Sequence, residues 1–303
     1  MSPLLRTPLT FVTGKGGVGK STVAAALACG CAAGGERTAL IALGPHPFAR
    51  LFNTETPIHY HGAEVAPRLT AFQLTPREAF EEYAVLRLGS AKLYHLCFDN
   101  RFVHYFLDAT PGLNELMCLG KLWHLVVKAH VFERVIVDLP ATGHGLGFLD
   151  VPRILTESVH RGPLATLGEQ MRSMLQDTAV TATLIVTRYE ELPVNETLEL
   201  ADRLATPLCI PLAGVVANHA TAAPVPADLR RAWETLQHDT APDAPWRPAI
   251  AATAFLDQQW ARAQTERERL HTRFGALLHE LPTFPVEAGP DLLARIGETL
   301  ATW

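Results

Sequence analysis

The chain is poor in residues that staple a fold or ligate a metal. It holds five cysteines, an odd number with no Cys-x-x-Cys pair, so neither a disulfide framework nor a structural zinc site is indicated. Cys29 and Cys31 stand two apart in an alanine-rich stretch that reads as helix; they face different directions and read as core filling. The histidines, His59 and His61 among them, are scattered without ligand spacing. Long apolar runs are missing too. Thr22 to Ala33 and Ala179 to Val186, the stretches of lowest polarity, fall short of the roughly twenty residues that span a bilayer. No charged-then-apolar leader opens the sequence, and the expectation is a cytoplasmic protein without an integral membrane segment. The last residues, Ile296 to Trp303, lack the basic face of a membrane-surface helix. There is no excess of basic charge: a net charge of −5 gives no electrostatic footprint for nucleic acid. No internal repeat is present.

What the chain does have is apolar content, 48% of 303 residues, enough to bury a large core. Strand-like runs recur at Leu9 to Val12, Ala39 to Leu43, Leu69 to Leu74, Val135 to Leu139, Thr181 to Val186 and Leu212 to Ala217, with helical intervals between them. That alternation predicts an α/β fold, a mostly parallel sheet with helices on both faces. Ligands in such sheets bind outside the carboxyl ends of the strands, which directs attention to the residues just after each run. From Pro76 to His130 the pattern turns to long helical stretches carrying Phe80, Tyr83, Tyr105, Phe106, Leu119, Leu122 and Trp123, broken by Pro111-Gly112, and reads as a helical insertion or subdomain. Toward the end the sequence predicts a helix over Pro226 to Gln237, a loop over Asp243 to Pro248 and a charged amphipathic helix over Gln258 to Leu278.

After the first strand run comes Gly14-Lys15-Gly16-Gly17-Val18-Gly19-Lys20-Ser21. A nucleotide's phosphates require several backbone N–H groups pointing inward, and only glycines let the chain curl that tightly. Gly14, Gly16, Gly17 and Gly19 supply the curl. In this pattern Lys20 lies against the β- and γ-phosphates of ATP, the Ser21 hydroxyl takes one place around Mg²⁺, and Thr22 opens a helix whose N-terminus faces the anion. Val135-Ile136-Val137-Asp138 is an apolar strand ending in a carboxylate, as expected of an aspartate that holds Mg²⁺ directly or through water. Lys15 is harder to place within one subunit. Lys20 already fills the lysine position, and a second ammonium beside it is repelled unless more negative charge is supplied.

This Lys-Gly-Gly-x-Gly-Lys-Ser arrangement resembles the deviant Walker A loop of the arsenite-pump, septum-positioning, plasmid-partition and nitrogenase-iron-protein ATPases. There the early lysine crosses a dimer interface to the other subunit's nucleotide. Leu139-Pro140-Ala141-Thr142-Gly143-His144, after Asp138, narrows the resemblance to the arsenite-translocating and tail-anchored-protein-targeting ATPases, which carry Asp-Thr-Ala-Pro-Thr-Gly-His here. It implies a nucleotide-responsive switch at Asp138, Thr142, Gly143 and His144. Asn218, after the run Leu212 to Ala217, falls where the family places an adenine-reading asparagine. Leu281 to Gly289 is similar to its adenine loop, which puts Pro285, Val286 and Glu287 beside the base. Pro111-Gly112-Leu113-Asn114-Glu115 and Thr187 to Thr197 resemble two further family segments. The resemblance therefore spans nearly the whole chain. It implies a single P-loop NTPase-type domain over residues 1–303, with 76–130 as its helical insertion, acting as an ATPase switch. It also implies a homodimer, or a heterodimer with a related ATPase subunit, in which Lys15, Lys20 and Asp138 carry the chemistry.

One family element is absent. After the second strand the family carries Asp-Pro-Ala-His, whose aspartate orients the water that attacks the γ-phosphate. The sequence here is Leu43-Gly44-Pro45-His46-Pro47-Phe48, with Leu43 or Gly44 in the aspartate's place according to the alignment chosen. Neither can hold a water, so binding is expected to outlast turnover. His46 could substitute as a base, although the flanking prolines stiffen its loop. Cargo has no clear signature: arsenite would need convergent thiolates, and only Cys97 and Cys118 lie in the helical region.

Overall fold

A computed structural model describes residues 6–44, 46–90, 92, 112–159, 161–238 and 245–303. Its elements in chain order are β1 (Leu9–Thr13), α1 (Lys20–Ala33), β2 (Thr38–Leu43), α2 (Phe48–Leu51), β3 (Ala63–Ala66), β4 (Leu69–Leu74), α3 (Pro76–Leu88) and α4 (Leu113–Trp123). There follow β5 (Arg134–Asp138), α5 (Thr142–Ser158), α6 (Pro163–Gln176), β6 (Thr181–Thr187), α7 (Glu191–Arg203), β7 (Leu212–Ala220), α8 (Arg230–His238), α9 (Arg247–Phe274), β8 (Leu278–Pro282) and α10 (Pro290–Ala301).

The strands form one sheet in the order β3-β4-β2-β5-β1-β6-β7-β8. Among the described strands, only the β3–β4 pair at one edge is antiparallel. All six strand runs expected from the sequence are present, and the α/β reading holds. Residues along each strand alternate between two cores: Leu9, Phe11, Ile41, Val135 and Val137 face one, and Val12, Leu40, Ala42 and Ile136 face the other. A parallel sheet needs both faces covered. Helices α1, α2 and α10 cover the second face. The first is covered by α3 to α7 and the end of α9, so Leu116, Leu119 and Leu122 of α4 join the sheet's own core.

Several local expectations are corrected. The segment read as a loop over Asp243 to Pro248 contains, at Arg247, the start of α9, with a proline in its first turn. Proline at that place lacks only an N–H that has no helical partner, so it opens a helix as readily as it breaks one. Asp243 and Ala244 lie outside the described residues, as do Cys97, Tyr105, Phe106 and Pro111. Helix α9 ends at Phe274, and Leu278, expected to close that helix, opens β8 instead. The helix expected over Pro226 to Gln237 is a short 3₁₀ turn, Ala227–Leu229, followed by α8. Edge strands β3 and β8, four and five residues long, are too short for periodicity to separate from loop. No helix among the described residues is long and apolar enough to cross a membrane.

The second face is built on small residues. A Cβ on Gly297 of α10 would lie 3.1 Å from the Ala26 carbonyl oxygen of α1 and 3.6 Å from the Gly30 nitrogen, so the two backbones touch. This seam fixes α1, which begins at the phosphate-type loop, against α10, which follows the Thr283 to Gly289 loop. Gly297→Leu should lower stability by about 1–3 kcal/mol through overpacking, read as a lower urea midpoint at unchanged m-value. A midpoint equal to wild type would show that the seam has slack.

Candidate functional site

The loop from Gly14 to Lys20 leaves β1 at the centre of the sheet and is shaped by neighbouring strands. Gly14 has φ +139°, and a Cβ there would lie 2.0 Å from the Val186 carbonyl oxygen of β6. Gly19 has φ +97°, and its Cβ would meet Asn218 Nδ2 at 2.3 Å. No L side chain fits either place. Gly17 also has positive φ, but with open space around it, and Gly16 is exposed. Val18 is buried and anchors the loop in the α1 core. Gly19 caps α1 without a side-chain bond, so the first-turn N–H groups of α1 stay available to an anion. Ser21 and Thr22, half-buried, occupy that first turn.

Lys20 is buried, and its ammonium donates back to the Lys15 carbonyl oxygen at 3.0 Å. Desolvation lowers its pKa, opposed by the charges of Asp138 and Glu196. Asp138, paired in register with Val12 at the end of β5, is likewise buried. Burial pushes its pKa up to about 6, against the opposing influence of a Ser21 hydrogen bond and the Lys20 charge. One Asp138 oxygen, Oδ1, is buried with no hydrogen-bond partner, as is Thr13 Oγ1 on the adjacent strand β1. An orphaned carboxylate oxygen beside a serine hydroxyl at the mouth of the loop is a donor set of the hard, oxygen-only kind that Mg²⁺ takes through its water shell. Ser21 and Asp138 thus fit the ion's site.

Beyond Asp138 the chain turns into α5. Ala141, not Thr142, is the N-cap, and no side chain caps the helix. The Thr142 hydroxyl instead donates to Glu196 Oε2 at 2.7 Å. Gly143 and His144 are exposed on the first turn. Gly145 is held close, its Cβ position 2.8 Å from the Pro140 carbonyl oxygen. Lys15 is half-buried and its ammonium pairs with Glu196 Oε1. Glu196, on the second turn of α7, therefore receives side chains from two motifs. The sequence marks it only as part of the Thr187 to Thr197 junction, because a glutamate on a helix face has no spacing that distinguishes it from a solvated one.

Asn218 is buried at the end of β7. Its Nδ2 donates to the Val18 carbonyl oxygen at 2.8 Å, and its Oδ1 accepts from the His219 N–H at 3.0 Å. A side-chain amide has two donors and two lone pairs, so one of each remains for a base. Pairing of β7 with β8 sets Ala220 beside Pro282, which places the loop holding Pro285, Val286 and Glu287 at the strand end next to Asn218. Pro285 and Glu287 are exposed and Val286 half-buried.

At the end of β2, Gly44 has φ +108° and no carboxylate stands nearby in sequence. His46 Nδ1 accepts from the Phe48 N–H at 3.2 Å, and its ring lies 4.4 Å from the Phe48 ring. Burial lowers its pKa. One of its nitrogens is committed to the Phe48 N–H at the start of α2. In the helical region the Cys118 thiol is buried, with its pKa pushed up to about 12 by that burial.

The Asp138 carboxyl gives a pH prediction. Its native pKa near 6 lies above the unfolded value, so the native state binds the extra proton and its stability falls as pH rises from about 4 to 6. Asp138→Asn should therefore stabilise the nucleotide-free chain at pH 7.5 by ~2–3 kcal/mol, an advantage that shrinks to nothing below pH 4. Urea midpoints of both proteins across that range test this, and a constant difference would refute it.

The chain matches the anion-transporting ATPase family over residues 7–163. It is 32% identical over 328 residues to the ATPase BagA of Mycobacterium tuberculosis, covering 97% of this chain and 92% of that relative. A putative arsenical pump-driving ATPase of Aquifex aeolicus is 29% identical over 150 residues, 48% of this chain and 49% of its own length. The ATPase GET3 of Rhodotorula glutinis is 28% identical over 166 residues, 54% of this chain and 46% of its own. With an N-terminal half that fits the family's pattern and a relative alignable along nearly its whole length, this chain belongs to the anion-transporting ATPase family.

Proposed function

We propose that the chain binds Mg²⁺ and ATP and acts as a nucleotide-gated switch that closes as a dimer, with slow hydrolysis. The observation that carries this reading is the separate placement of two lysines from one loop. Lys20 is buried in the phosphate cradle, whereas the Lys15 ammonium is tied to Glu196. Each cation has its own acidic neighbour, and Lys15 is left with a use outside its own cradle.

Within one subunit the roles divide as follows. Backbone N–H groups of Gly16 to Lys20 and the uncapped start of α1 wrap the β- and γ-phosphates. Lys20 would leave the Lys15 carbonyl for phosphate oxygens, whose negative charge favours the ammonium and opposes the effect of burial. Ser21 and Asp138 would hold Mg²⁺, which would supply positive charge against the phosphates. The remaining N–H and lone pair of Asn218, with Pro285, Val286 and Glu287, form the adenine end. Thr142, Gly143 and His144 open α5 directly after Asp138, so a shift of the Asp138 carboxylate is passed to that helix start.

Turnover is the weak part. The absence of a carboxylate at Leu43 and Gly44 and the bond between His46 and the Phe48 N–H support a reading in which the end of β2 is poor at orienting the attacking water. A heterodimer in which a related subunit supplies that aspartate is the second reading, favoured by this same vacancy. Recovery of a single polypeptide from the native organism, with substantial ATP turnover, would reject it. The names of two relatives include driving an arsenical pump and protein GET3, but the buried Cys118 argues against thiolate capture of arsenite here.

Lys20→Ala should abolish measurable ATP binding by titration calorimetry; unchanged affinity would rule out the site. Lys15→Ala should leave nucleotide binding in place and weaken dimerisation in a non-hydrolysable ATP analogue by about 1.5 to 3 kcal/mol, the worth of a charge-assisted hydrogen bond. Identical sedimentation of wild type and variant would count against a crossing lysine.

A further inference from the structure

Glu196 has no part in cradling the nucleotide, yet two of the site's motifs end on it. The Lys15 ammonium, 181 residues away in sequence, pairs with Oε1, and the Thr142 hydroxyl, 54 residues away, donates to Oε2 at 2.7 Å. Both oxygens of one carboxylate are thus engaged, one by the phosphate loop and the other by the start of α5. These partners, with the added charge of Lys20, hold the Glu196 carboxyl below the usual carboxylate range. The pair is neither deeply buried nor free: 30% of the Lys15 side chain and 34% of the Glu196 side chain are exposed, a degree at which an ion pair can both form and exchange.

We propose that Glu196 is a positioning residue that docks Lys15 within its own subunit and sets how much phosphate charge is needed to draw it across a dimer interface. This rests on the reading above that Lys15 acts on a neighbouring nucleotide. To leave, the ammonium exchanges one anion for another, so its net gain is the difference between a phosphate group and Glu196. The γ-phosphate adds charge that a diphosphate lacks, so the competition with Glu196 favours release by ATP over release by ADP. Thr142 gives the same carboxylate a second tether. A displacement of the α5 start therefore reaches Lys15 through one side chain, without any movement of the loop backbone.

The test is competitive amine labelling of the full chain without nucleotide, read by mass spectrometry, with Lys121 as internal reference because its pair with Glu82 is untouched. Glu196→Gln is isosteric and lies in a partly exposed place, so the fold tolerates it. Its Lys15 should label about fivefold faster than in wild type, equivalent to ~1 kcal/mol. In ADP the same variant should dimerise at about fivefold lower protein concentration than wild type, and Lys15→Ala in the Glu196→Gln background should remove that gain. Lys15 labelling and ADP sedimentation equal to wild type would overturn the proposal. The two readings fail separately. ATP binding that survives Lys20→Ala would overturn the nucleotide site while leaving the labelling result standing, whereas unchanged Lys15 labelling overturns only the docking role of Glu196.

Discussion

Two ammonium groups five residues apart on a tight loop repel each other, and the local structure can be read as the answer to that repulsion. Lys20 turns inward, buried near Asp138 and resting on a backbone carbonyl, while Lys15 turns to Glu196 on a different helix. The acidic partners come from two separate strand-helix units, Asp138 at the end of β5 and Glu196 in the second turn of α7, the helix that follows β6. The central position of β1 between β5 and β6 makes both reachable from one loop. Electrostatics and topology are the same constraint here: the sheet order decides which carboxylates the two lysines can find.

The loop itself is held from outside. Val186 of β6 presses on Gly14, and Asn218 of β7 presses on Gly19 while bonding the Val18 carbonyl. Two neighbouring strands thus clamp the loop's ends, and its middle, Gly16 and Gly17, is left exposed. Behind the clamp, the glycine contact between α1 and α10 ties the loop's helix to the helix that follows the Pro285 to Glu287 segment. The glycine loop after β1 and the loop after β8 are in this way joined to one packed face.

Absence is informative at the end of β2. Gly44 and Leu43 bring no carboxylate, and His46 spends a nitrogen on α2. The clamp on the loop, Lys20 and Asp138 belong to β1, α1, β5, β6 and β7 rather than to this corner.

Much of this was legible from the residues alone. The glycine pattern, the apolar strand ending in Asp138 and the six strand runs follow from backbone freedom and periodicity, which are properties of short segments. The short edge strands β3 and β8 and the proline-led start of α9 were not, because a proline or a five-residue apolar run has the same appearance in a loop and in an element. Glu196 was illegible for a stronger reason. Its importance lies in meeting Lys15 and Thr142 through space, and nothing local in a helical glutamate records which distant side chains its carboxylate will touch. The sequence by itself determined the curl of the loop, since only glycine fits at Gly14 and Gly19. The tertiary structure alone decided where each lysine points and what holds it, since charge pairing acts across strand order rather than along the chain.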